Sequence, residues 1–197
     1  AALADTPGID RVRFTSPHPK DFPLALIDAI ATHPKICKHI HLPLQAGSDR
    51  ILELMGRTYT GAEYLALVDR IRSRIPDIVL TTDIICGFCS ESEEDFQATH
   101  RIIEQTQLDS AYIFKYSERK HTIAARKYAD DVPDRVKGMR VAQLLETQRR
   151  ITLERNRRYI GKAMQVLVER DATRSSTQAM GKTDGNITVV WEKGTGD

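Results

Sequence analysis

Polar side chains follow the apolar, strand-like segments in the first part of this chain. Gln45 and Ser48 come after segment 38–42, Asp83 lies just inside segment 78–85, and Arg119 follows segment 110–114. An amide and a carboxylate can hydrogen-bond ribose hydroxyls, and a guanidinium or a hydroxyl can hold a carboxylate group. These four residues predict a binding site for a polar small molecule. No hydrolytic triad or phosphate loop accompanies them, so we assign no catalytic residue.

Parallel strands are needed to bring these residues together. The strand-like segments 11–14, 38–42, 78–85 and 110–114 are separated by stretches with helical spacing of apolar residues. This alternation predicts βαβ units in an open sheet or a barrel. Ligands bind at the carboxyl ends of the strands in such folds. We therefore expect the loops 15–19, 43–49, 87–91 and 115–119 to surround one pocket.

Several helix starts can be read from local signals. Thr60 is followed three positions later by Glu63, which is the capping-box pattern. Ser92 precedes an acidic first turn, where the helix dipole favours negative charge. Ser48 is predicted to cap the helix that follows it.

The character of the chain changes after residue 117. Segment 118–131 is charged and irregular, and Pro133 opens a long helical stretch that reaches about Tyr159. Strands are then predicted at 163–168 and 187–191, with a Ser/Thr-rich loop at 173–177 and a turn at 184–186. Two strands cannot close a barrel, so we expect the β module to be incomplete. We divide the chain into residues 1–132, a connecting helix 133–159, and a β module 160–197.

Histidine and cysteine residues offer little evidence of a metal site. Cys86 and Cys89 are interpreted as small residues at a strand end, because a zinc site needs two further ligands. We expect at most one of His39 and His41 to face the pocket, and a structural role for it. Asp83 is different, since a carboxylate in an apolar strand is costly unless it is paired or used.

Composition excludes some classes of protein. No apolar stretch is long enough to span a bilayer, and the first residues do not form a secretory signal. Three cysteines without a secretion signal favour a cytoplasmic protein. The net charge of +2 is too small to indicate nucleic-acid binding by itself. Arginines between 149 and 158 can be read equally well as an RNA contact or as a solvated helix face.

Four blocks of sequence resemble the barrel of radical S-adenosylmethionine (radical SAM) tRNA methylthiotransferases. Segment 39–49 reads His-Ile-His-Leu-Pro-Leu-Gln-Ala-Gly-Ser-Asp and is followed by Met-Gly-Arg at 55–57. Blocks 11–19, 82–96 and 114–125 are also similar. The match is closest to enzymes that add a methylthio group to N6-isopentenyladenosine next to the anticodon. Segment 161–197 resembles the start of the RNA-binding TRAM β-barrel of these enzymes.

The resemblance implies a function and its cofactors. The fold is then α/β, a partial radical-SAM (β/α) barrel followed by a truncated TRAM-like β module. The cofactors are S-adenosylmethionine and, in the full-length enzyme, two 4Fe–4S clusters. Gln45 and Asp83 match positions near the cofactor ribose, Ser48 and Arg119 match its polar end, and the backbone of 114–116 lies near the adenine. The partner is tRNA, at its anticodon stem-loop, and we expect a cytoplasmic monomer without a membrane partner.

The sequence also departs from the family pattern. The cluster-binding Cys-x-x-x-Cys-x-x-Cys motif does not occur in it. We interpret the chain as a fragment that begins after that motif, and we expect it to be inactive alone. Gly-Phe-Cys-Ser-Glu at 87–91 stands where the family has Gly-Phe-Pro-Gly-Glu, and Arg-Lys-His-Thr at 119–122 stands where it has Arg-Pro-Gly-Thr.

Two other functions remain open from the sequence. One is a methylthiotransferase that acts on a ribosomal protein, because that sibling shares the barrel blocks. The other is a non-catalytic RNA-binding adaptor in which the barrel part is a scaffold. The sulfur donor cannot be read from these residues.

Overall fold

A computed structural model describes residues 2–14, 18–173 and 175–194 of the chain. The first rim loop, predicted at 15–19, therefore falls partly outside the described residues. A short 3-10 turn at Pro19–Asp21 precedes the first helix. The other elements follow in chain order: α1 Leu24–Thr32, β1 His39–His41, α2 Asp49–Leu54, α3 Gly61–Arg74, β2 Val79–Cys86, α4 Glu93–Thr106, β3 Ser110–Lys115, α5 Ile123–Lys127, α6 Asp134–Arg157, β4 Val166–Ala172, β5 Ser175–Thr183 and β6 Thr188–Glu192.

Strands β1, β2 and β3 form a parallel sheet in that order, as the alternation of strands and helices predicts. His39 pairs with Val79, and Thr81 pairs with Ser110. The strand predicted at 11–14 is reduced to a single parallel bridge between Val12 and Ile36. The α/β prediction is therefore confirmed, with one strand fewer than expected.

Alternation along β2 separates the two faces of this sheet. Leu80, Thr82 and Ile84 are fully buried against the helices. The residues between them, Thr81 and Asp83, point to the open face. Each buried Leu or Ile side chain contributes roughly 1.5–3 kcal/mol to folding. The helix side of the sheet is thus the source of stability, and the open side is left for polar groups.

Capping boxes fix the starts of α3 and α4, and the one at Thr60 is as predicted. The Thr60 backbone N–H donates to Glu63 Oε2 (2.8 Å), and the Glu63 N–H donates to Thr60 Oγ1 (3.1 Å). Ser92 and Asp95 form the same arrangement at the start of α4. Ser48 occupies the N-cap position of α2, as predicted, but its hydroxyl makes no hydrogen bond to the first turn of that helix.

Strands β4, β5 and β6 form a separate antiparallel sheet. The loop predicted at 173–177 is wrong for residues 175–177, which begin β5. Pairing with β6, for example Gln178 with Glu192, satisfies the backbone of this polar strand. The turn predicted at 184–186 is confirmed, since the Thr183 N–H donates to the Ile187 carbonyl (3.0 Å) and Asn186 has a positive φ.

The β5–β6 turn contacts the starts of the parallel strands. Guanidinium groups of Arg11 and Arg13 donate to the carbonyls of residues 182 and 183, each at 2.8 Å. The Lys38 backbone N–H donates to Asp184 Oδ2 (3.2 Å). A Cβ atom added at Gly185 would lie 2.5 Å from a methyl carbon of Val79. The two sheets are therefore in direct contact at this turn.

Of the helices in the described ranges, none is long and apolar enough to cross a membrane.

Candidate functional site

A cavity of about 560 Å³ opens at the carboxyl ends of the parallel strands. Gln45 lines it after β1, Asp83 and Ile85 line it from β2, and the end of β3 supplies Phe114. The remaining lining residues are the last residue of β3, Lys115, and residues of the connection after it and the start of α5: Tyr116, Ser117, Arg119, Thr122 and Ala124. The cavity therefore combines polar groups with aromatic and aliphatic surface, as small-molecule sites do.

Gln45 is fixed by backbone hydrogen bonds to β2. Its N–H donates to the Asp83 carbonyl (2.8 Å), and its carbonyl accepts from the Ile85 N–H (2.9 Å). Its φ of 67° is unusual for a residue other than glycine. Strain of this kind persists only where the surroundings hold the residue, and it is concentrated at functional sites. The backbone thus holds Gln45 beside Asp83 at the cavity wall.

Asp83 lies on the open face of β2 with 31% of its side chain exposed. Its Oδ2 atom lies 3.1 Å from His41 Nε2. The carboxylate is therefore paired and partly hydrated. It contributes to the wall of this cavity and of a second one, described below.

Both His39 and His41 face the open side of the sheet, so the interpretation that they point to opposite faces is wrong. Neither lines the strand-end cavity, which agrees with the expectation that at most one faces that pocket. Residues two positions apart on a strand share a face. His39 Nε2 lies 3.2 Å from Thr81 Oγ1, and His41 Nδ1 lies 3.0 Å from the same oxygen. Burial lowers the pKa of His39 to about 4, and the nearby Arg13 acts in the same direction. His39 is thus neutral near pH 7.

This shift predicts a loss of stability in mild acid. The folded-state pKa of His39 lies below its ordinary value of 6.5, so the unfolded chain takes up a proton more readily. The contribution of neutral His39 to stability is fully present above pH 6.5 and is lost as pH falls towards 4. After allowance for solvent screening, we expect the free energy of unfolding to fall by about 1–2 kcal/mol between pH 7 and pH 5. Urea denaturation should show a smaller fall in the free energy of unfolding for His39→Gln than for the wild-type protein.

The exposed His121 supplies the matched control for this measurement. His121→Gln should leave the pH dependence of the wild-type protein unchanged. Equal pH dependence in the wild-type and His39→Gln proteins would contradict a neutral, buried His39.

The connection after β3 carries Arg119 at the cavity mouth. Arg119 is exposed, and its carbonyl accepts from the Thr122 hydroxyl (2.9 Å). Thr122 also caps α5, with its Oγ1 accepting from the Ala125 N–H (3.2 Å). The 119–122 loop, in which the sequence departs from the family pattern, is therefore held by a local turn and a helix cap.

Lys137 supports the same connection from beneath, and sequence reasoning missed it. Its side chain is 4% exposed and forms an ion pair with Asp130. Its ammonium nitrogen lies 5.1 Å from the ring centre of Tyr116 and 3.5 Å from the Tyr116 carbonyl oxygen. A Cβ atom at Gly87, whose φ is 74°, would lie 2.3 Å from Lys137 Cγ. No local pattern signals these contacts, because they join α6 to distant loops.

Ser48, the fourth predicted site residue, does not line the cavity. It is buried, and its hydroxyl donates to Asp95 Oδ1 (2.5 Å). Burial raises the pKa of Asp95, but hydrogen bonds from Arg50, Ser48 and Ser92 outweigh that effect and hold it well below its ordinary value. The structure thus brings Gln45, Asp83 and Arg119 together and leaves Ser48 at the contact between α2 and α4.

Cysteine side chains do not gather in the described part of the chain. Cys37, Cys86 and Cys89 are free and buried, and burial raises the pKa of Cys86 to about 12. A metal-binding thiolate needs a lowered pKa. Among residues 2–14, 18–173 and 175–194 there is no group of three or more His, Cys, Asp or Glu side chains that fits a metal ion. These residues do not fit an iron–sulfur cluster.

A second cavity, of about 530 Å³, lies between the open face of the parallel sheet and the β module. It is lined by His39, His41 and Asp83 of the sheet, by Asn156 of α6 and by Lys182 of β5. Asp83 belongs to the walls of both cavities, so it lies at the point where they adjoin.

Most of the basic residues near the end of α6 have carboxylate partners. Arg155 and Arg158 both contact Asp109 Oδ1, at 3.2 and 2.7 Å. Arg150 pairs with Glu104 and Arg157 pairs with Glu154. This geometry favours a structural or solvated face over an RNA contact for that stretch.

Three comparisons relate this chain to known proteins. Residues 1–103 match the family model described as the radical SAM superfamily. The chain is 48% identical over 193 residues to a protein of Chlorobium chlorochromatii (strain CaD3) named tRNA-2-methylthio-N(6)-dimethylallyladenosine synthase, covering 98% of this chain and 43% of that protein. It is 50% identical over 186 residues to the protein of the same name from Acetivibrio thermocellus, covering 94% and 38%.

The chain thus spans about two fifths of the length of the curated relatives that it matches. Its fold is similar to that of coproporphyrinogen III oxidase from Escherichia coli, which is described as a radical SAM enzyme. The TM-score is 0.57 at 15% identity, covering 90% of this chain and 45% of that chain. At this identity the likeness concerns the fold alone.

Proposed function

Because this chain belongs to the radical SAM superfamily, we propose that its strand-end cavity binds S-adenosylmethionine and that the protein is a tRNA methylthiotransferase. The observation that carries the proposal is the convergence of Gln45, Asp83 and Arg119 on one cavity at the carboxyl ends of parallel strands. Relatives named tRNA-2-methylthio-N(6)-dimethylallyladenosine synthase support the choice of reaction and of tRNA as substrate.

The cavity suits the chemistry of this cofactor. A volume of about 560 Å³ is within the usual range for small-molecule sites. The Asp83 carboxylate can accept hydrogen bonds from ribose hydroxyls, and the Gln45 amide can donate or accept. Phe114 and Tyr116 offer aromatic surface to the adenine, and the Arg119 guanidinium can pair with the methionyl carboxylate.

In radical SAM enzymes the bound cofactor, reduced by an iron–sulfur cluster, supplies a 5′-deoxyadenosyl radical. The residues described here bind and orient the cofactor, and they form walls that limit access of water. The described residues do not themselves form a site for such a cluster.

The β4–β6 sheet is proposed to contact RNA as a TRAM-like module. Basic and aromatic groups along a β surface can bind a nucleic-acid backbone. The sequence offers Lys162, Arg170, Lys182, Lys193 and Trp191, together with Arg174, which lies outside the described residues. Lys193 is already paired with Asp171 (2.6 Å), so it is the weakest of these candidates. A cytoplasmic monomer that acts on the anticodon stem-loop is part of the same proposal.

Asp83→Asn and Gln45→Ala are expected to weaken the binding of S-adenosylmethionine. Each removes a hydrogen-bonding group at the cavity wall, at a cost of about 1–3 kcal/mol if the group is desolvated. Equilibrium dialysis of labelled cofactor, with protein expressed from its native gene, measures the change. In cells that carry Asp83→Asn, tRNA hydrolysates should lose 2-methylthio nucleosides when analysed by mass spectrometry.

The exposed Lys120 offers a matched control, because it neighbours Arg119 but does not line the cavity. Lys120→Ala should leave cofactor affinity unchanged. Unaltered affinity in both Asp83→Asn and Gln45→Ala would show that the cofactor binds elsewhere. Unaltered tRNA, with loss of methylthio groups from a ribosomal protein, would favour the other methylthiotransferase reaction. Loss of neither modification would favour an adaptor.

A further inference from the structure

A continuous series of hydrogen bonds runs along the open face of the parallel sheet towards the cofactor cavity. It begins at His39 Nε2, passes through Thr81 Oγ1 to His41 Nδ1, and continues from His41 Nε2 to Asp83 Oδ2. The three distances are 3.2, 3.0 and 3.1 Å. The series ends on the carboxylate that lines the cavity.

The chemistry of the groups gives this series one direction. A carboxylate only accepts, so His41 Nε2 must carry the proton and donate to it. In neutral His41, Nδ1 is then an acceptor, and the Thr81 hydroxyl must donate to it. The oxygen of Thr81 is left to accept from His39, which is neutral near pH 7 and can donate through Nε2. With a neutral imidazole at His41, every donor in the series points towards Asp83.

The position of His41 prevents it from meeting the cofactor in the strand-end cavity. It lines the second cavity, on the other side of Asp83, and is absent from the lining of the first. An edge contact with the Tyr112 ring, with ring centres 6.1 Å apart, restricts the orientation of the imidazole. His41 thus contacts Asp83 from the side that faces away from the proposed ribose.

We propose that His41 is a positioning residue, which holds one oxygen of Asp83 so that the other is directed at the ribose hydroxyls of S-adenosylmethionine. The inference rests on the proposed cofactor site and adds a residue outside it. A free carboxylate on a strand samples several rotamers, and fixing one in advance removes part of the entropy that binding would otherwise lose. The sequence interpretation of His41 as a structural histidine is thereby refined.

Two substitutions of equal polarity test the proposal, because each retains one of the two imidazole contacts. His41→Gln puts an amide nitrogen near the position of Nε2 and keeps a donor to Asp83. His41→Asn puts its amide near the position of Nδ1, which keeps the contact to Thr81 and loses the one to Asp83. We expect cofactor affinity to fall roughly tenfold in His41→Asn and by less than about threefold in His41→Gln. A merely structural role would not separate the two variants in this order.

A spectroscopic measurement supplies an independent readout. Long-range ¹H–¹⁵N spectra of the histidine rings should show His41 with its proton on Nε2 in the wild-type protein. Asp83→Asn should shift the Nε2 resonance of His41 and leave that of the exposed His121 unchanged. A His41 protonated on Nδ1 alone would overturn the proposed direction of the series.

The outcomes separate this inference from the proposed function. If Asp83→Asn weakens binding while His41→Asn and His41→Gln both bind as the wild-type protein does, the cofactor site stands and the positioning role falls. Equal losses in the two His41 variants also overturn it. If Asp83→Asn has no effect, the positioning role falls, and the proposed site fails as well if Gln45→Ala also has none.

Discussion

Replacing Glu91 by leucine is expected to destabilise the protein by about 3–5 kcal/mol, because it removes the buried counter-ion of Arg140 and leaves that arginine only the exposed Glu93, 3.3 Å from Nη2. Glu91 Oε1 lies 2.8 Å from Arg140 Nη1, and only 2% and 7% of the two side chains are exposed. Glu91 also accepts a hydrogen bond from the Gly87 N–H (2.9 Å) at the end of β2. The pair therefore joins α6 to the loop that follows the central strand.

A double-mutant cycle distinguishes the pair from its members. Arg140→Met should lower the free energy of unfolding by a similar amount, because it leaves the buried Glu91 carboxylate without its partner. The double variant should lose less stability than either single variant. Denaturant titrations give the three free energies of unfolding. The exposed pair Arg157–Glu154 is the control, and Glu154→Ala should change stability by no more than about 1 kcal/mol. Additive losses at Glu91 and Arg140 would contradict a coupled ion pair.

Replacing Gly47 by alanine is expected to destabilise the fold by about 1–3 kcal/mol or more and to disturb the cavity. An added Cβ would lie 2.4 Å from Thr99 Cα and 2.7 Å from the Ala98 carbonyl oxygen, both of them backbone atoms of α4. The Gly47 N–H donates to Thr99 Oγ1 (2.8 Å), so the loop is held at this distance. Because backbone cannot rotate away, the loop that carries Gln45 must move.

Gly138 provides a glycine with the opposite expectation. It lies exposed in α6, and an added Cβ would meet no atom within 4 Å. Gly138→Ala should therefore stabilise the protein by roughly 0.5–1 kcal/mol through helix propensity. Denaturation curves and cofactor affinity should be measured for both variants. A Gly47→Ala protein with wild-type stability and affinity would show that the close approach to α4 is not required.

The parallel sheet could be predicted from the sequence because its signals are local. The run of β-branched residues before Cys86 indicates a strand buried by neighbours, and the Thr60–Glu63 box marks a helix start. Both are satisfied within a few residues of the signal. The strand at 11–14 was predicted on the same basis, but the structure retains only the bridge at Val12.

Two of the differences involve partners that are distant in sequence. The segment 175–177 reads as a loop, but it begins β5, and the Thr177 carbonyl accepts from the Lys193 backbone N–H (2.9 Å). Ser48 was assigned to a helix cap and a site, whereas Asp95, 47 residues away, takes its hydroxyl. No local pattern reports such pairings.

The candidate site was partly predictable for a similar reason. Gln45 and Arg119 follow strands and Asp83 lies near the carboxyl end of one, and topology alone brings these strand ends together. Lys137 and the second cavity depend on how α6 and the β module pack, which the strand pattern does not specify. The two histidines of β1 needed only the two-residue period of a strand, and a correct use of that period would have put both on the open face.

The contact between the β5–β6 turn and the parallel strands limits how the chain can vary during evolution. Asp184 meets the Lys38 backbone, and Gly185 fits against Val79 with no room for a side chain. An insertion of one residue would withdraw the first contact, and any larger residue at position 185 would obstruct the second. Insertions and deletions are therefore expected in other connections, for example in the exposed connection at 117–121. The length of the turn is therefore constrained by the parallel sheet that it contacts.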